Sequence, residues 1–194
     1  MEYYCKRCGH YWNSRKDKKP LACPKCKSPY WNQPKKRVSK ELIESSTKMI
    51  IIVHDMIIKE SGGTFGIRDS GGIYNAAYRI LNYVNKNIDN PYSIGAFVYQ
   101  DLAKRHHFVD GNKRTAHCFA KIILLSIGYH LKPKYCNATE FILAIARDKN
   151  PKTFKEIRDW INKNSTKIIE KEITTYLKEL YYDITYEKRG SQNE

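Results

Sequence analysis

The sequence predicts a mostly α-helical protein preceded by a small β domain built around a metal ion. Two patterns support this prediction. Four of the six cysteines form two Cys-x-x-Cys pairs near the N-terminus. From about residue 40 onward, apolar side chains recur at three- and four-residue spacing, with almost no strand alternation. At 194 residues and 41% hydrophobic residues, the chain is long enough for one sizeable core and a small appendage.

The cysteine pairs have the spacing of a structural zinc site. Cys5 and Cys8 are separated from Cys23 and Cys26 by 14 residues, enough for a hairpin that brings two turns together. Zinc prefers four tetrahedral thiolates, and each turn offers two. We expect Gly9 to adopt positive φ after the first pair. We also expect the aromatic side chains of the segment to pack around the metal: Tyr4, Tyr11, Trp12, Tyr30 and Trp31.

The positive charge of the chain is concentrated near the N-terminus. The formal net charge is +15, and residues 1–40 hold 12 Lys and Arg against 2 Asp and Glu. A structural or partner-docking role is the favoured interpretation of such a segment; contact with RNA, DNA or the ribosome is the alternative. No apolar run approaches the ~18 residues of a membrane span. The first residues lack the apolar region of a secretory signal, so we expect a cytoplasmic protein without a membrane partner.

Helical periodicity and capping residues predict seven helices, separated by a glycine-rich loop or short hairpin at residues 62–72 and by Gly128. The first helix begins after Ser39, the second covers Ile73–Val84, the third follows Pro91 with Ser93 as its N-cap, and the fourth covers Asn112–Leu125. The fifth and sixth follow the capping-box pairs Asn137/Glu140 and Thr153/Glu156, and the seventh covers Thr166–Tyr182. Three histidines are expected to be structural: His54, His117 and His130. The thiols of Cys118 and Cys136 are expected to be buried, and His107 is expected to be packed or exposed.

A strongly polar segment, residues 105–115, lies between two apolar helices, where burying it without use would be costly. Gly111 allows a close approach of the backbone, just before a helix N-terminus whose N–H groups attract anions. Lys113 and Arg114 add positive charge at the same place. These residue types predict a phosphate-binding site.

The same segment holds residues suited to acid–base and metal chemistry. Asp110 can hold a magnesium ion, which binds through one or two carboxylates and phosphate oxygens. His106 or His107 can act as a base near neutral pH. Together with the phosphate site, these side chains predict transfer of a phosphate-containing group.

Residues 106–115, with the pattern H-x-F-x-D-G-N-K-R-T, resemble the signature of the Fic/Doc family and specifically its Doc (death-on-curing) branch. In Fic AMP-transferases glycine usually stands where Lys113 stands here, and a second arginine stands where this chain has His117. The glycine-rich segment before the second helix resembles the family as well. The resemblance implies an all-α helical bundle with a small flap. It divides the chain into a zinc ribbon (1–35), a Fic/Doc domain (36–165) and a C-terminal helix with a frayed tail (166–194).

The resemblance also implies ATP and magnesium as cofactors. His106 would take the proton from a hydroxyl of the target protein, and Asp110 would hold magnesium. Phe108 would be buried and hold the loop. The ATP and phosphate-binding residues would be Gly111, Asn112, Lys113 and Arg114.

In the Doc branch the nucleotide lies reversed, so that the γ-phosphate is transferred to a Thr or Ser hydroxyl. The described target of that branch is elongation factor Tu, and translation arrest is the result. A separate antitoxin is expected, because the (Ser/Thr)-x-x-x-Glu-(Gly/Asn) inhibitory pattern fails at its last position after Thr166 and Thr175. Two other functions stay open: AMP transfer by the same site, and a non-catalytic zinc-ribbon module that binds nucleic acid or a partner.

Overall fold

The structure is a computed structural model that describes residues 1–14, 18–34, 38–147, 149–169 and 173–185, without the side chains of residues 135–137 and 183–185. The chain separates into two compact units, Met1–Arg37 and Val38–Glu194. The first is a small β unit and the second is all-α, which confirms the predicted fold class. The Cys136 thiol, residues 170 and 171 of the first inhibitory-pattern match, and the tail after residue 185 lie outside the described residues.

The first unit is organised by one short hairpin. Strand β1 (Glu2–Tyr4) pairs antiparallel with β2 (Tyr11–Asn13), and Tyr3 lies opposite Trp12. Because side chains alternate across a strand, Tyr3 and Trp12 face the interior, where both rings contact Trp31. The indole N–H of Trp31 donates to the carbonyl of Pro20 at 2.9 Å, so its polar atom is satisfied inside this small core.

Three aromatic side chains of this unit point away from the core. Tyr4 and Tyr11 lie opposite each other on the other face of the hairpin and are 43% and 73% exposed. Tyr30 is 59% exposed. The prediction that these three pack around the metal was wrong, because a two-stranded sheet has only one face toward its core and Tyr3, Trp12 and Trp31 fill it.

The second unit is built from helices with one small sheet. Its helices are α1 (Lys40–Ser61), α2 (Ser70–Lys86), α3 (Pro91–Lys104), α4 (Asn112–Ser126), α5 (Tyr135–Ile145), α6 (Phe154–Lys163) and α7 (Ile173–Thr185). Strand β3 (Tyr129–Leu131) pairs antiparallel with β4 (Ser165–Lys167). Within the described ranges, no helix combines the length and apolar character that crossing a membrane requires.

Helix α3 is the centre of the core and packs against α2, α4, α5 and α6. Most of its side chains are buried because it is apolar nearly all round. Gly95 lies where α3 meets its neighbours: a Cβ there would come within 3.0 Å of both Ile161 and Leu124. The close approach of α3 to α4 fixes the ends of the two helices, and the polar segment joins those ends.

The helix starts follow local capping chemistry. Ser39 caps α1 as predicted, and Thr153 and Glu156 form the predicted capping box of α6. The prediction for α3 was wrong: Asn90 is its N-cap and its side chain accepts from Ser93 N–H, with Pro91 in the first turn. Helix α5 likewise begins at Tyr135, before the predicted cap at residue 137.

The end of the chain differs from the predicted single helix over 166–182. Residues 165–167 form β4, and α7 begins only at Ile173. The predicted boundary between residues 165 and 166 falls within β4, and the chain is not divided there. Helix α7 packs on α1 and α4, with Leu180 against a buried cluster that includes Val53 and Cys118.

Candidate functional site

The polar segment forms a tight connection between α3 and α4. His106 has left-handed backbone geometry with φ 46°, and Gly111 has φ 73° directly before α4. Glycine adopts this conformation without strain, whereas histidine does so at a cost. The resulting turn leaves His106 exposed, with no hydrogen-bond partner among the described residues.

The start of α4 is open to an anion. Gly111 occupies the N-cap position and provides no capping side chain for the N–H groups of the first turn. Lys113 is half-buried in that turn, and no described residue forms an ion pair or hydrogen bond with it. Free N–H groups, the positive end of the helix dipole and a lysine together suit a phosphate group.

The inside of the turn is filled by an aromatic pair. Phe108 is buried as predicted, and its ring stacks on His54 of α1 with 3.8 Å between ring centres. His54 Nε2 lies 3.1 Å from the carbonyl oxygen of Asp110. His54 therefore supports the turn from beneath, in agreement with the structural role predicted for it.

The side chain of Asn112 clamps the turn from within. Its Oδ1 accepts from the N–H of Phe108, and its Nδ2 donates to the carbonyl of Phe108, both at 2.9 Å. Both ends of the amide are thus used inside the turn. One N–H of Nδ2 and the backbone N–H of Asn112 remain for the predicted phosphate contact, which stays a prediction.

A flap, residues 62–69, runs alongside the turn. The N–H of Val109 donates to the carbonyl of Gly66 at 2.9 Å, and the N–H of Arg68 donates to the carbonyl of His107 at 2.8 Å. The flap and the turn therefore form a short antiparallel ladder. This pairing fixes the distance between the flap and the turn.

Glycines allow the flap to lie this close. A Cβ at Gly63 would come within 2.4 Å of Asp110 Oδ2, and one at Gly66 within 2.7 Å of Val109 Cγ2. Both have positive φ, 124° and 143°. A side chain at either position would push the flap off the turn.

Arg114 joins the site to the end of α1. Its Nη1 donates to the carbonyl of Gly62 at 2.9 Å and to the hydroxyl of Ser61. Its Nη2 lies 3.5 Å from Asp110 Oδ2. The guanidinium is therefore anchored on one side by the helix end while it remains beside the carboxylate.

Asp110 is stabilised in its charged form. The hydrogen bond from Gly111 N–H, at 2.5 Å, followed by the charge of Arg114, lowers the pKa of Asp110 below its ordinary value. The carboxylate is exposed, so an ionised oxygen faces the open side of the turn. Its chemistry suits a hard cation such as magnesium.

Sequence reasoning missed the ion-pair network that supports the start of the turn. Asp101 is buried, and it accepts from Arg79 at 3.0 and 2.9 Å and from Arg105 at 3.1 Å. Arg105 directly precedes His106, so the network fixes the end of α3. The pairing of Asp101 with Arg105 at i, i+4 was visible in the sequence, but the Arg79 contact spans 22 residues and gave no local signal.

Comparison with known protein families finds a similarity that includes the flap and the turn. The model of the Fic/DOC family matches residues 44–124, the stretch that holds the flap, the turn and the start of α4. Residues 44–124 are therefore similar to the Fic/Doc family. A search of curated proteins found no significant match to the chain. Fic/Doc proteins are generally transferases that act on ATP, with a metal ion and a protein target.

The predicted site residues of the helical unit converge on one turn. His106 and Asp110 lie on it, and Lys113 and Arg114 lie in the first turn of α4. His107, by contrast, is buried, and neither of its ring nitrogens has a partner in the described part of the chain. Burial lowers the pKa of His107, so this residue packs as a neutral side chain behind the turn.

The four N-terminal cysteines form a separate cluster in the first unit. The sulfurs of Cys5, Cys8, Cys23 and Cys26 all lie within 4.8 Å of one another. The two Cys-x-x-Cys turns are alike: Gly9 N–H donates to Cys5 O, and Lys27 N–H donates to Cys23 O, each at 2.9 Å. Gly9 has the expected positive φ of 74°.

The cluster has the dimensions of a tetrahedral thiolate site. Four Zn–S bonds of about 2.3 Å place the sulfurs about 3.8 Å apart. The Cys5–Cys26 and Cys8–Cys23 sulfur distances are 3.8 and 3.7 Å. These four residues can hold a metal ion, and zinc fits both their chemistry and their spacing.

His117 lies one helical turn further along α4 and is half-buried. Tyr99 and His117 Nδ1 are joined by a 2.5 Å hydrogen bond. Burial, together with the charge of Lys121, lowers the pKa of His117 to about 3. This side chain is therefore neutral at physiological pH and has the structural role predicted for it.

The pKa of His117 makes stability sensitive to acid. An unfolded histidine binds a proton near pH 6.5. Between that pH and about 3 the unfolded chain therefore holds the extra proton, and His117 lowers stability as pH falls, by at most about 1.4 kcal/mol per pH unit. We expect the free energy of unfolding of His117→Gln to fall less steeply below pH 6 than that of the wild type. Denaturant titrations at pH 7 and pH 4.5 measure this difference; parallel pH dependences of the two proteins would contradict it.

Proposed function

We propose that the Fic/Doc domain is a protein kinase of the Doc type, which transfers the γ-phosphate of ATP to a Thr or Ser hydroxyl of a target protein. The observation that carries the proposal is Lys113. It stands in the open first turn of α4, where Fic AMP-transferases usually have glycine, and no described residue pairs with it. A lysine there fills space and adds charge at the anion site, which favours a different phosphate of ATP at that position.

His117 supports the same choice. Fic AMP-transferases usually have a second arginine at this place, to neutralise phosphate charge. Here the side chain is neutral, with a pKa of about 3, and forms a hydrogen bond with the buried Tyr99. It cannot supply the positive charge that AMP transfer by a Fic enzyme uses, so phosphoryl transfer is the better supported of the two reactions.

The exposed imidazole of His106 acts as the general base. It takes the proton of the target hydroxyl while the hydroxyl oxygen attacks the γ-phosphorus. The bond between the γ-phosphorus and the β,γ-bridging oxygen breaks, ADP leaves, and the proton remains on His106. Such positioned proton transfer typically accelerates a reaction about 10²–10⁴-fold.

Electrostatic stabilisation comes from the rest of the turn. Asp110 would hold magnesium, which neutralises phosphate charge when bound. The N–H groups of the first turn of α4, with Lys113, bind the phosphate oxygens. Arg114 adds charge beside Asp110 while its other contacts tie it to the end of α1. Phosphoryl transfer depends mainly on this kind of positioning and charge.

The flap is the proposed docking place for an extended segment of the target, because it lies beside the exposed His106. We expect the target to be a translation elongation factor, elongation factor Tu or its equivalent, and translation arrest to result. A separate antitoxin protein is expected to control the activity. The intact turn argues against a domain that only docks a partner.

The position of the label in ATP distinguishes the two reactions. With magnesium and a candidate elongation factor, we expect γ-labelled ATP to label the target and α-labelled ATP to leave it unlabelled. Lys113→Gly should lose γ-transfer, whereas Lys113→Arg, which keeps the charge, should retain most of it. Transfer of α-label would support AMP transfer instead. Full γ-transfer by Lys113→Gly would refute the role given to the lysine.

A further inference from the structure

The exposed face of the N-terminal hairpin has no role in the proposed kinase reaction. Tyr4 and Tyr11 lie opposite each other on that face, with 4.4 Å between ring centres. Together they form a continuous aromatic surface that is exposed to solvent. The core of this unit is formed by other side chains, so packing does not explain why these two residues are aromatic.

The unit that carries this aromatic surface is rich in positive charge. Residues 1–37 hold 11 Lys and Arg against 2 Asp and Glu. A zinc–thiolate centre carries a net charge of about −2, so the unit stays strongly positive with metal bound. A third exposed ring, Tyr30, has the guanidinium of Arg7 at 5.9 Å from its centre. Exposed rings and cations thus occur together on a unit of 37 residues.

We propose that the N-terminal unit binds single-stranded nucleic acid, with bases stacked on the Tyr4–Tyr11 surface and phosphates neutralised by lysines and arginines of the same unit. Every base has a flat π-face, and exposed aromatic rings on a basic surface are the elements that bind single strands without sequence preference. An acidic protein segment would complement the positive charge of the unit but, unlike a nucleic acid, would make no use of two adjacent exposed rings. The proposal rests on the N-terminal unit alone and is independent of the reaction of the Fic/Doc domain.

Binding is measured on the full zinc-loaded chain by fluorescence anisotropy with labelled 20-nucleotide strands, U20 and dT20. We expect both to bind, with an affinity that falls as KCl rises by about 0.7 in log K per log salt for each neutralised phosphate. The strand that binds with the higher affinity indicates whether RNA or DNA is the natural ligand. Tighter binding of a duplex than of either strand would overturn the stacking argument.

The tyrosines are tested with variants that keep the fold. Tyr11→Leu removes the more exposed ring and keeps an apolar strand residue; we expect affinity for the single strands to fall about 5- to 150-fold, the range for loss of one stacked base. Tyr78→Leu on α2, an exposed tyrosine of the other unit at 49%, is the matched control and should bind like the wild type. Bound metal and tryptophan fluorescence confirm that each variant is folded.

Two results would refute the proposal. One is the absence of measurable binding of either strand at about 0.15 M KCl. The other is unchanged binding by Tyr11→Leu together with equal competition by polyglutamate, which would assign the surface to acidic proteins through charge alone.

Discussion

Replacing His106 by alanine is expected to lower the rate of group transfer by about 10²–10⁴-fold, the usual contribution of a general base. The exposed position of the imidazole on the turn, without a partner among the described residues, leaves it free to take the proton of a target hydroxyl. The measurement is the initial rate of label transfer to the target at saturating ATP. Since the side chain is not part of the core, helical circular dichroism should be unchanged.

The backbone of His106 requires a second variant. With φ 46°, alanine at this position carries left-handed strain, whereas asparagine tolerates this conformation better and has no titratable base. We therefore expect His106→Asn to lose as much activity as His106→Ala and to be the more stable of the two. If His106→Asn kept the wild-type rate while His106→Ala lost it, the residue would serve the shape of the turn and not proton transfer.

Those features of the fold that depend on neighbouring residues could be predicted from the sequence. The caps at Ser39 and Thr153 and the positive φ of Gly9 each depend on a few consecutive residues. The start of α3 was misplaced by such local reasoning, because Asn90 and Ser93 both favour N-caps and only the position of Pro91 in the first turn decides between them. The β3–β4 pairing joins segments about 35 residues apart and left no local signal.

In the candidate site too, local features could be predicted from the sequence and long-range contacts could not. Its polar residues occupy one short stretch, so their types and their order are enough to indicate phosphate chemistry. The residues that hold the stretch in shape come from other helices: His54 from α1 and Arg79 from α2. Their contacts span 56 and 22 residues. The sequence therefore indicates the chemistry proposed for the turn but not the side chains that support it.

The exposure of the aromatic residues in the N-terminal unit could not be predicted from composition. Tyr4, Tyr11, Trp12, Tyr30 and Trp31 were all expected to pack around the metal. The register of the hairpin decides otherwise: pairing of Tyr3 with Trp12 toward the core necessarily turns Tyr4 and Tyr11 outward. Since that register is set by contacts with Trp31, 19 residues beyond Trp12, alternation alone did not reveal which face is buried.

Removal of the metal is expected to unfold the N-terminal unit and leave the helical unit intact. We expect one zinc ion per purified chain, held by the four clustered cysteines. Among the described residues of this unit, the buried core consists of Cys5, Cys23 and Trp31, which is too small to fold unaided. Zinc bound to such sites supplies an apparent ~10–16 kcal/mol, which is comparable to the whole stability of a typical domain.

The two units can be followed separately in one sample. Among the described residues every helix lies after residue 38, so helical circular dichroism reports only the second unit. Two of the three tryptophans, Trp12 and Trp31, lie in the first, and a Trp160→Phe background makes their fluorescence specific to it. We expect a strong chelator to change the fluorescence and leave the dichroism unchanged.

Cysteine variants provide the matched comparison for the chelator. Cys8→Ser should abolish zinc binding, because it removes one of four ligands, whereas Cys118→Ala, a buried thiol of α4, should retain one zinc per chain. Chains with near-zero zinc after expression in zinc-replete medium would show that the cluster holds free thiols. Loss of helical dichroism on chelation would instead mean that the second unit depends on the first for its stability, because the cysteine cluster itself contains no helix.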